Sequence, residues 1–97
     1  MGPSLGAVVR YLLIERYKPG CEAAVYERLA DKGRRMPAGT EYVASWVTAD
    51  IRVCYQVVRC ENRAQLDAFI ACWQDLVDFE VIEVLTSEQA AEAVAKL

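Results

Sequence analysis

The sequence predicts an α+β fold in which helices cover one face of an antiparallel four-stranded sheet. Strand-like and helix-like segments follow one another in the order strand, helix, strand, strand, helix, strand, helix. Three of the strands, residues 7–14, 52–58 and 81–85, carry apolar side chains at successive positions. Because neighbouring residues of a strand point to opposite faces, the sheet would be apolar on both sides. The second apolar face would be larger than the apolar patches that monomeric proteins normally expose to water. A second sheet packed against it in a homodimer would cover it.

The first strand and helix are separated by residues that interrupt regular structure. Residues 8–17 form the strand, which ends at Lys18-Pro19-Gly20. Residues 21–32 are rich in helix formers, and Gly33 stands where a C-terminal cap is expected. Residues 36–39 form the loop that follows.

The second and third strands form a predicted hairpin. Residues 41–47 and 52–60 are rich in β-forming side chains and are separated by residues 48–51. We predict that the loop length pairs Val47 with Arg52. The alternative register, slipped by one residue, would place Trp46 beside Gln56. The predicted register groups Tyr42, Ala44, Trp46, Val53, Tyr55 and Val57 on one face, and Val43, Ser45, Cys54, Gln56 and Val58 on the other.

The C-terminal half begins with the clearest helix of the chain. Asn62 and Gln65 have the spacing of a capping box. A single buried helical stripe would comprise Leu66, Phe69, Ile70, Trp73 and Val77. Residues 79–85 are the fourth strand, and Thr86 or Ser87 opens a terminal helix. The order is that of a ferredoxin-like βαββαβ domain with a C-terminal helix.

Length and composition indicate one globular domain spanning residues 1–97, with 55% apolar and 26% charged residues. The net charge of −3 argues against a nucleic-acid partner. The apolar run from Tyr11 to Ile14 is too short for a signal peptide or a membrane span, so a cytoplasmic protein without membrane contact is expected. Residues 1–60 hold nine Lys or Arg against six Asp or Glu, whereas residues 61–97 hold two against eight. These charges form solvated faces or complementary patches across a dimer.

The cysteine and histidine content restricts the possible chemistry. Cys21, Cys54, Cys60 and Cys72 lack zinc-ligand spacing and are expected to be reduced thiols. The absence of histidine excludes histidine-based nucleophile systems and histidine ligation of haem or metals. We predict no metal and no cofactor.

Three segments carry a family resemblance: residues 11–20 (YLLIERYKPG), 42–47 (YVASWV) and 73–81 (WQDLVDFEV). They resemble a small bacterial family known as domain of unknown function 3303, over nearly the whole chain. That family is similar in fold to the dimeric α+β barrel superfamily, which includes small monooxygenases, haem-degrading enzymes, lactone isomerases and stress-related proteins. The resemblance implies this fold and a homodimer, and adds almost nothing about a reaction.

Several side chains could form a binding or catalytic site. Glu15 ends an apolar strand, so it is either a partly buried general base or a rim carboxylate paired with a nearby Arg or Lys. Ser45 and Gln56 could orient a ligand, or could bond each other or water. Trp46 and Tyr55 could line an aromatic pocket, whereas Trp73 is expected to be plain core.

Two further features have a structural interpretation. Arg34 and Arg35 could bind an anion, but cations at the end of a helix are stabilising in any case, and we prefer that interpretation. Cys21, in the first turn of its helix, is not expected to be reactive.

The leading prediction is a homodimer that binds a small apolar organic molecule between sheet and helices or at the sheet interface. The candidate ligand-binding residues are Tyr11, Glu15, Ser45, Trp46, Tyr55 and Gln56. One alternative is a cofactor-free monooxygenase or isomerase that uses Glu15, Tyr11, Tyr55 or Gln56, which predicts a cavity of roughly 300 Å³ or more. Another is a structural or interaction module with no cavity.

Overall fold

A computed structural model describes residues 8–97, and it confirms the predicted order of elements. The strands are β1 (Val9–Tyr17), β2 (Thr40–Val47), β3 (Val53–Cys60) and β4 (Val77–Val84). The helices are α1 (Glu22–Lys32), α2 (Arg63–Ala71) and α3 (Ser87–Ala95). Ala7, predicted to belong to the first strand, lies outside the described residues.

The four strands form one antiparallel sheet in the order β2-β3-β1-β4. The central strand β1 pairs with both β3 and β4, so that Leu13 lies opposite Gln56 on one side and Val81 on the other. This order, with α1 and α2 on one face, is the predicted ferredoxin-like arrangement. No helix of the described residues is long and apolar enough to cross a membrane.

The helix boundaries follow from local hydrogen bonding. Gly33 ends α1 with φ of 67°, and its N–H donates to the carbonyl of Leu29 at 2.9 Å. Asn62 caps α2 by accepting from the Gln65 N–H at 3.0 Å. The Gln65 side chain accepts from the N–H of Glu61, one residue before the expected partner.

The predicted helical stripe extends too far. The helix α2 ends at Ala71, Trp73 lies in the turn that follows, and Val77 is the first residue of β4. Both side chains are buried in the core, as a helical stripe would require. Apolar spacing alone therefore could not separate a helix from a helix followed by a turn.

The core lies between the sheet and helices α1 and α2. The largest fully buried apolar side chains come from three strands and from α2; they are Leu13, Val58, Leu66 and Val77. Burial of each such side chain contributes about 2 kcal/mol. The core therefore fixes which face of each strand points toward the helices.

The β2–β3 hairpin differs from the predicted register by two residues. Val47 lies opposite Cys54 rather than Arg52. The reason is a longer turn, in which the Thr48 hydroxyl donates to Asp50 at 2.6 Å and accepts from the Val53 N–H at 3.2 Å. An even shift preserves the predicted faces of most residues.

A register shift between Tyr42 and Ala44 changes one face assignment. Tyr42 lies opposite Val58, whereas Ala44 lies opposite Val57. The extra residue of this bulge turns Tyr42 toward the helix side, although it was predicted to share a face with Trp46.

The face of the sheet opposite the core is also apolar, as predicted. Registers across all four strands place nine apolar residues there: Leu12, Ile14, Ala44, Trp46, Val53, Tyr55, Val57, Ile82 and Val84. Trp46 is 63% exposed, and Tyr55 and Ile82 are each 38% exposed. We call this surface the open face. A sheet face in contact with water normally carries mainly polar side chains, so the open face is unusually apolar for a solvent-exposed surface.

Candidate functional site

A cavity of about 100 Å³ lies between the sheet and helices α1 and α2. Its apolar lining consists of Val25, Leu29, Val47, Phe69, Trp73 and Val77. Its polar and titratable lining consists of Glu15, Tyr17, Tyr26, Arg34, Ser45, Cys54 and Gln56. The cavity thus combines apolar walls with a few polar groups, the composition typical of small-molecule sites.

Glu15 is a buried carboxylic acid in this cavity. Strand alternation from Leu13 directs it toward the helix side, where it is 9% exposed. Its Oε2 accepts a hydrogen bond from Gln56 Nε2 at 2.7 Å. Burial raises the pKa of Glu15 to about 7, against the opposing effects of the Gln56 hydrogen bond and the charge of Arg34. Glu15 can therefore gain or lose a proton near neutral pH.

Gln56 connects Glu15 to a cation. It is 2% exposed, and its Oε1 accepts from Arg34 Nη1 at 2.8 Å. Both functional groups of the amide are thereby used, which a buried glutamine requires. The three side chains form a continuous chain, Glu15–Gln56–Arg34. The rim interpretation predicted that Glu15 pairs directly with Arg or Lys, but its hydrogen-bond partner is Gln56.

Arg34 is a site residue that was not among the predicted ligand-binding residues. It lies beyond the end of α1, where its charge was assigned to helix stabilisation. The structure instead places the guanidinium carbon 4.0 Å from the centre of the Tyr42 ring. The Arg34 carbonyl accepts from Trp73 Nε1 at 3.0 Å. One sequence signal pointed to a partner of this kind: Gln56 was predicted on an apolar face, where its side-chain amide needs hydrogen-bond partners.

Ser45 takes part in the site through Tyr42. The two hydroxyl oxygens are 2.8 Å apart, within hydrogen-bonding distance. Ser45 lies opposite Gln56 on the neighbouring strand but bonds to the tyrosine instead. The bulge in β2 makes this contact possible, because it brings Tyr42 to the same side of the sheet as Ser45.

Two tyrosines lie toward the outside of the cavity. The rings of Tyr17 and Tyr26 meet edge to face with centroids 6.3 Å apart, and their hydroxyl oxygens are 3.5 Å apart. Burial, followed by the Tyr26 hydrogen bond, raises the pKa of Tyr17. Burial, followed by the charge of Glu15, raises the pKa of Cys54 to about 11. Both groups are therefore neutral at physiological pH, and Cys54 is a poor nucleophile.

The remaining predicted site residues lie elsewhere. Tyr11 is buried on the helix side with the Arg63 guanidinium 6.0 Å from its ring, but it does not line the cavity. Trp46 and Tyr55 belong to the open face. The structure therefore brings together Glu15, Ser45 and Gln56, and separates Tyr11, Trp46 and Tyr55 from them. Trp73, predicted to be plain core, lines the cavity.

A second, more polar groove of about 330 Å³ lies at the end of the sheet, where β1, β3 and β4 meet the start of α3. Arg10, Arg59 and Glu83 are among its lining residues. Arg59 already pairs with Glu41. Within residues 8–97, no three His, Cys, Asp or Glu residues are grouped so that they could hold a metal ion.

The chain matches the sequence model of one known protein family. The sequence model of the domain of unknown function DUF3303 matches residues 9–97. The chain belongs to this family. No curated protein sequence matches the DUF3303 chain.

Two solved structures are similar to this DUF3303 protein. One is a NIPSNAP family protein of unknown function from Agrobacterium tumefaciens, at 15% identity and a TM-score of 0.50, with 90% of this chain and 96% of that chain covered. The other, from Chloroflexus aurantiacus, is named as an antibiotic biosynthesis monooxygenase. It has 18% identity and a TM-score of 0.49, and the match covers 82% of this chain and 95% of that chain. At these identities, the comparison with the NIPSNAP protein supports the fold alone.

Proposed function

We propose that this protein is a homodimer that binds a small, mostly apolar organic molecule in the cavity between its sheet and helices. The observation that carries the proposal is the hydrogen-bonded chain from the buried Glu15 and Gln56 to the half-buried Arg34, along a cavity that also has apolar walls. Taking an acid, an amide and a guanidinium out of water has a free-energy cost that apolar side chains would avoid. A ligand with one polar end and an apolar body would match both parts of the lining.

The size of the cavity limits the ligand. Its volume of about 100 Å³ is below the roughly 300 Å³ that is typical of drug-sized ligands. An apolar cavity of about 150 Å³ holds benzene. The ligand is therefore a molecule of a few heavy atoms, or one end of a longer molecule that enters beside Tyr26 and Val47, the exposed members of the lining.

The open face supports the homodimer. Its apolar centre, which includes Leu12 and Ile14, lies between two ion pairs on the same face. Arg16 pairs with Glu80 at 3.1 Å at one end, and Arg59 pairs with Glu41 at the other. An apolar centre with a charged rim is the usual composition of a protein interface.

Sedimentation velocity of the full chain and of two variants tests the dimer. We expect the wild type to sediment as a dimer at micromolar concentration, and Leu12→Asp to be monomeric, because the charge would be buried in the apolar centre. The matched control Ile51→Asp places the same charge on an exposed apolar residue of the hairpin turn and should remain dimeric. A monomeric wild type would refute this part of the proposal.

Ligand binding is tested by thermal-shift screening of small aromatic and aliphatic compounds. We expect a subset to stabilise the wild type, with the shift lost in Val47→Trp, which would fill the outer part of the cavity. Val43→Trp is the control, since Val43 is exposed on the same strand but does not line the cavity. Failure of every compound to stabilise the wild type would favour a structural or interaction module instead.

The protonation behaviour of Glu15 favours a second candidate function, a cofactor-free isomerase. The cavity of about 100 Å³ is smaller than the roughly 300 Å³ predicted for such an enzyme, so its substrate would have to be small. A carboxylate with a pKa of about 7 is suited to removing a proton from carbon next to a carbonyl group. In a small β,γ-unsaturated ketone, the electron pair would move to the carbonyl oxygen, where Arg34 could donate a hydrogen bond. Glu15 would then return the proton to the γ carbon while the double bond moves to the α,β position. The product is an isomer of the substrate, so no oxidant is consumed. Tyr11 and Tyr55 have no part in this scheme, because neither lines the cavity.

Isotope exchange tests the second candidate. Small ketones in deuterated water should exchange protons next to the carbonyl faster with the wild type than with Glu15→Gln, as measured by NMR. Equal exchange rates would exclude Glu15 as the base for this class of substrate.

A further inference from the structure

We propose that Arg34 makes the cavity selective for small carboxylic acids, which bind as anions with their apolar chains against the cavity wall. This inference rests on the proposed ligand-binding function and names the class of ligand. It depends on how Arg34 is held and on the charges that surround it.

Arg34 is a half-buried cation with no carboxylate partner within 4.0 Å among residues 8–97. Arg28 on the preceding helix, by contrast, binds Asp75 through two hydrogen bonds of 2.8 Å each. The only side-chain hydrogen bond of the Arg34 guanidinium within the described part of the chain goes to neutral Gln56. A guanidinium that is partly withdrawn from water gains most from a partner of opposite charge. A carboxylate supplied by a ligand would complete the site.

The guanidinium is positioned before any ligand arrives. Gln56 holds one nitrogen, the Tyr42 ring stacks at 4.0 Å, and Trp73 holds the backbone carbonyl at 3.0 Å. Ser45 in turn holds the Tyr42 hydroxyl. Arginine has five N–H donors, so four remain after the bond to Gln56, and a carboxylate can take two of them side by side. A fixed guanidinium binds with less loss of side-chain freedom than a mobile one.

The other titratable groups of the cavity determine how binding depends on pH. They are Glu15 and Tyr17 on β1, Tyr26 on α1 and Cys54 on β3. Tyr17 and Cys54 are neutral near pH 7, since burial raises the pKa of both. Ionised Glu15 is therefore the negative charge that competes with a bound carboxylate for Arg34.

The experiment compares butanoate with butanamide, which have the same shape and differ in charge. Dissociation constants are measured by NMR titration of the full chain at about pH 6 and about pH 8.5. The variants are Arg34→Gln, Glu15→Gln and the control Arg35→Gln, whose exposed side chain does not line the cavity. Backbone chemical shifts check that each variant is folded.

We expect butanoate to bind the wild type and Arg35→Gln about tenfold more tightly than butanamide. Arg34→Gln should remove that preference while butanamide binding persists. Butanoate binding should weaken about tenfold between the two pH values in the wild type but not in Glu15→Gln.

Three results would overturn the inference. Equal binding of acid and amide by the wild type would show that the cavity does not select the anion. An unchanged preference for butanoate in Arg34→Gln would show that a group other than Arg34 selects the acid. Either result would leave the proposed binding function in place. Absence of binding by both probes, together with no stabilisation in the thermal-shift screen, would refute both proposals.

Discussion

The acid Glu15 makes the stability of this protein depend on pH, and its replacement by glutamine should remove that dependence. Its pKa is raised from 4.5 to about 7 by burial. The native state therefore holds a proton that the unfolded state releases at lower pH. The stability that neutral Glu15 provides is complete below pH 4.5 and is lost as the pH rises through about 7. The difference between the two pKa values corresponds to about 3 kcal/mol of unfolding free energy.

Glu15→Gln keeps the shape of the side chain and an oxygen that can accept from Gln56 Nε2. At pH 5 the variant should be close to the wild type in stability, because the wild-type acid is mostly protonated in the native state. At pH 8 the variant should be more stable by about 3 kcal/mol, because it has no charge to bury.

Urea denaturation, followed by tryptophan fluorescence at several pH values and one protein concentration, measures the effect. Glu27→Gln is the control, since Glu27 is exposed on α1 and its replacement should leave the pH dependence unchanged. If the stabilities of Glu15→Gln and the wild type vary with pH in parallel, the carboxyl group is not held in its neutral form, and the reasoning about the site fails.

Two further substitutions probe the scaffold of the site. Trp73→Phe removes the hydrogen bond to the Arg34 carbonyl but keeps an aromatic ring, so it should lower the unfolding free energy by about 1 kcal/mol in urea denaturation. Gly39→Ala should be more destabilising than Gly20→Ala in the same measurement. Both glycines have positive φ, but only at position 39 would the new methyl group overlap the Gln65 amide, whose oxygen accepts from the Glu61 N–H just before α2. An equal loss of stability in the two variants would contradict this overlap.

Local sequence signals were sufficient for most of the fold. Strand alternation predicted the four strands and their apolar faces, and Asn62 marked the start of α2 correctly. The end of α2 was wrong because Trp73 and Val77 are buried at helical spacing although neither is helical. The predicted hairpin register was wrong because it depends on the hydrogen bonds of Thr48 in the turn, which the spacing of apolar residues does not indicate.

The candidate site was predictable only in part, for a similar reason. Glu15 and Gln56 stood out because they are polar residues on apolar strand faces, and the structure places them in contact. Arg34 could be considered as an anion-binding residue but could not be assigned to this cavity, since its position depends on the positive φ of Gly33 and Arg35 on either side and on a distant tryptophan. Contacts between residues far apart in sequence leave no periodic trace.

The extra residue in β2 makes the bulge itself part of the site's architecture. If Val43 were retained but paired in a regular ladder, Tyr42 would move from Val58 to Arg59 on β3, and its ring would turn away from Arg34 to the open face. Deletion of Val43 would instead leave an unbroken ladder with Tyr42 still opposite Val58, so the stacking platform would be kept. Alignments of this domain should therefore place a one-residue gap in β2 at Val43.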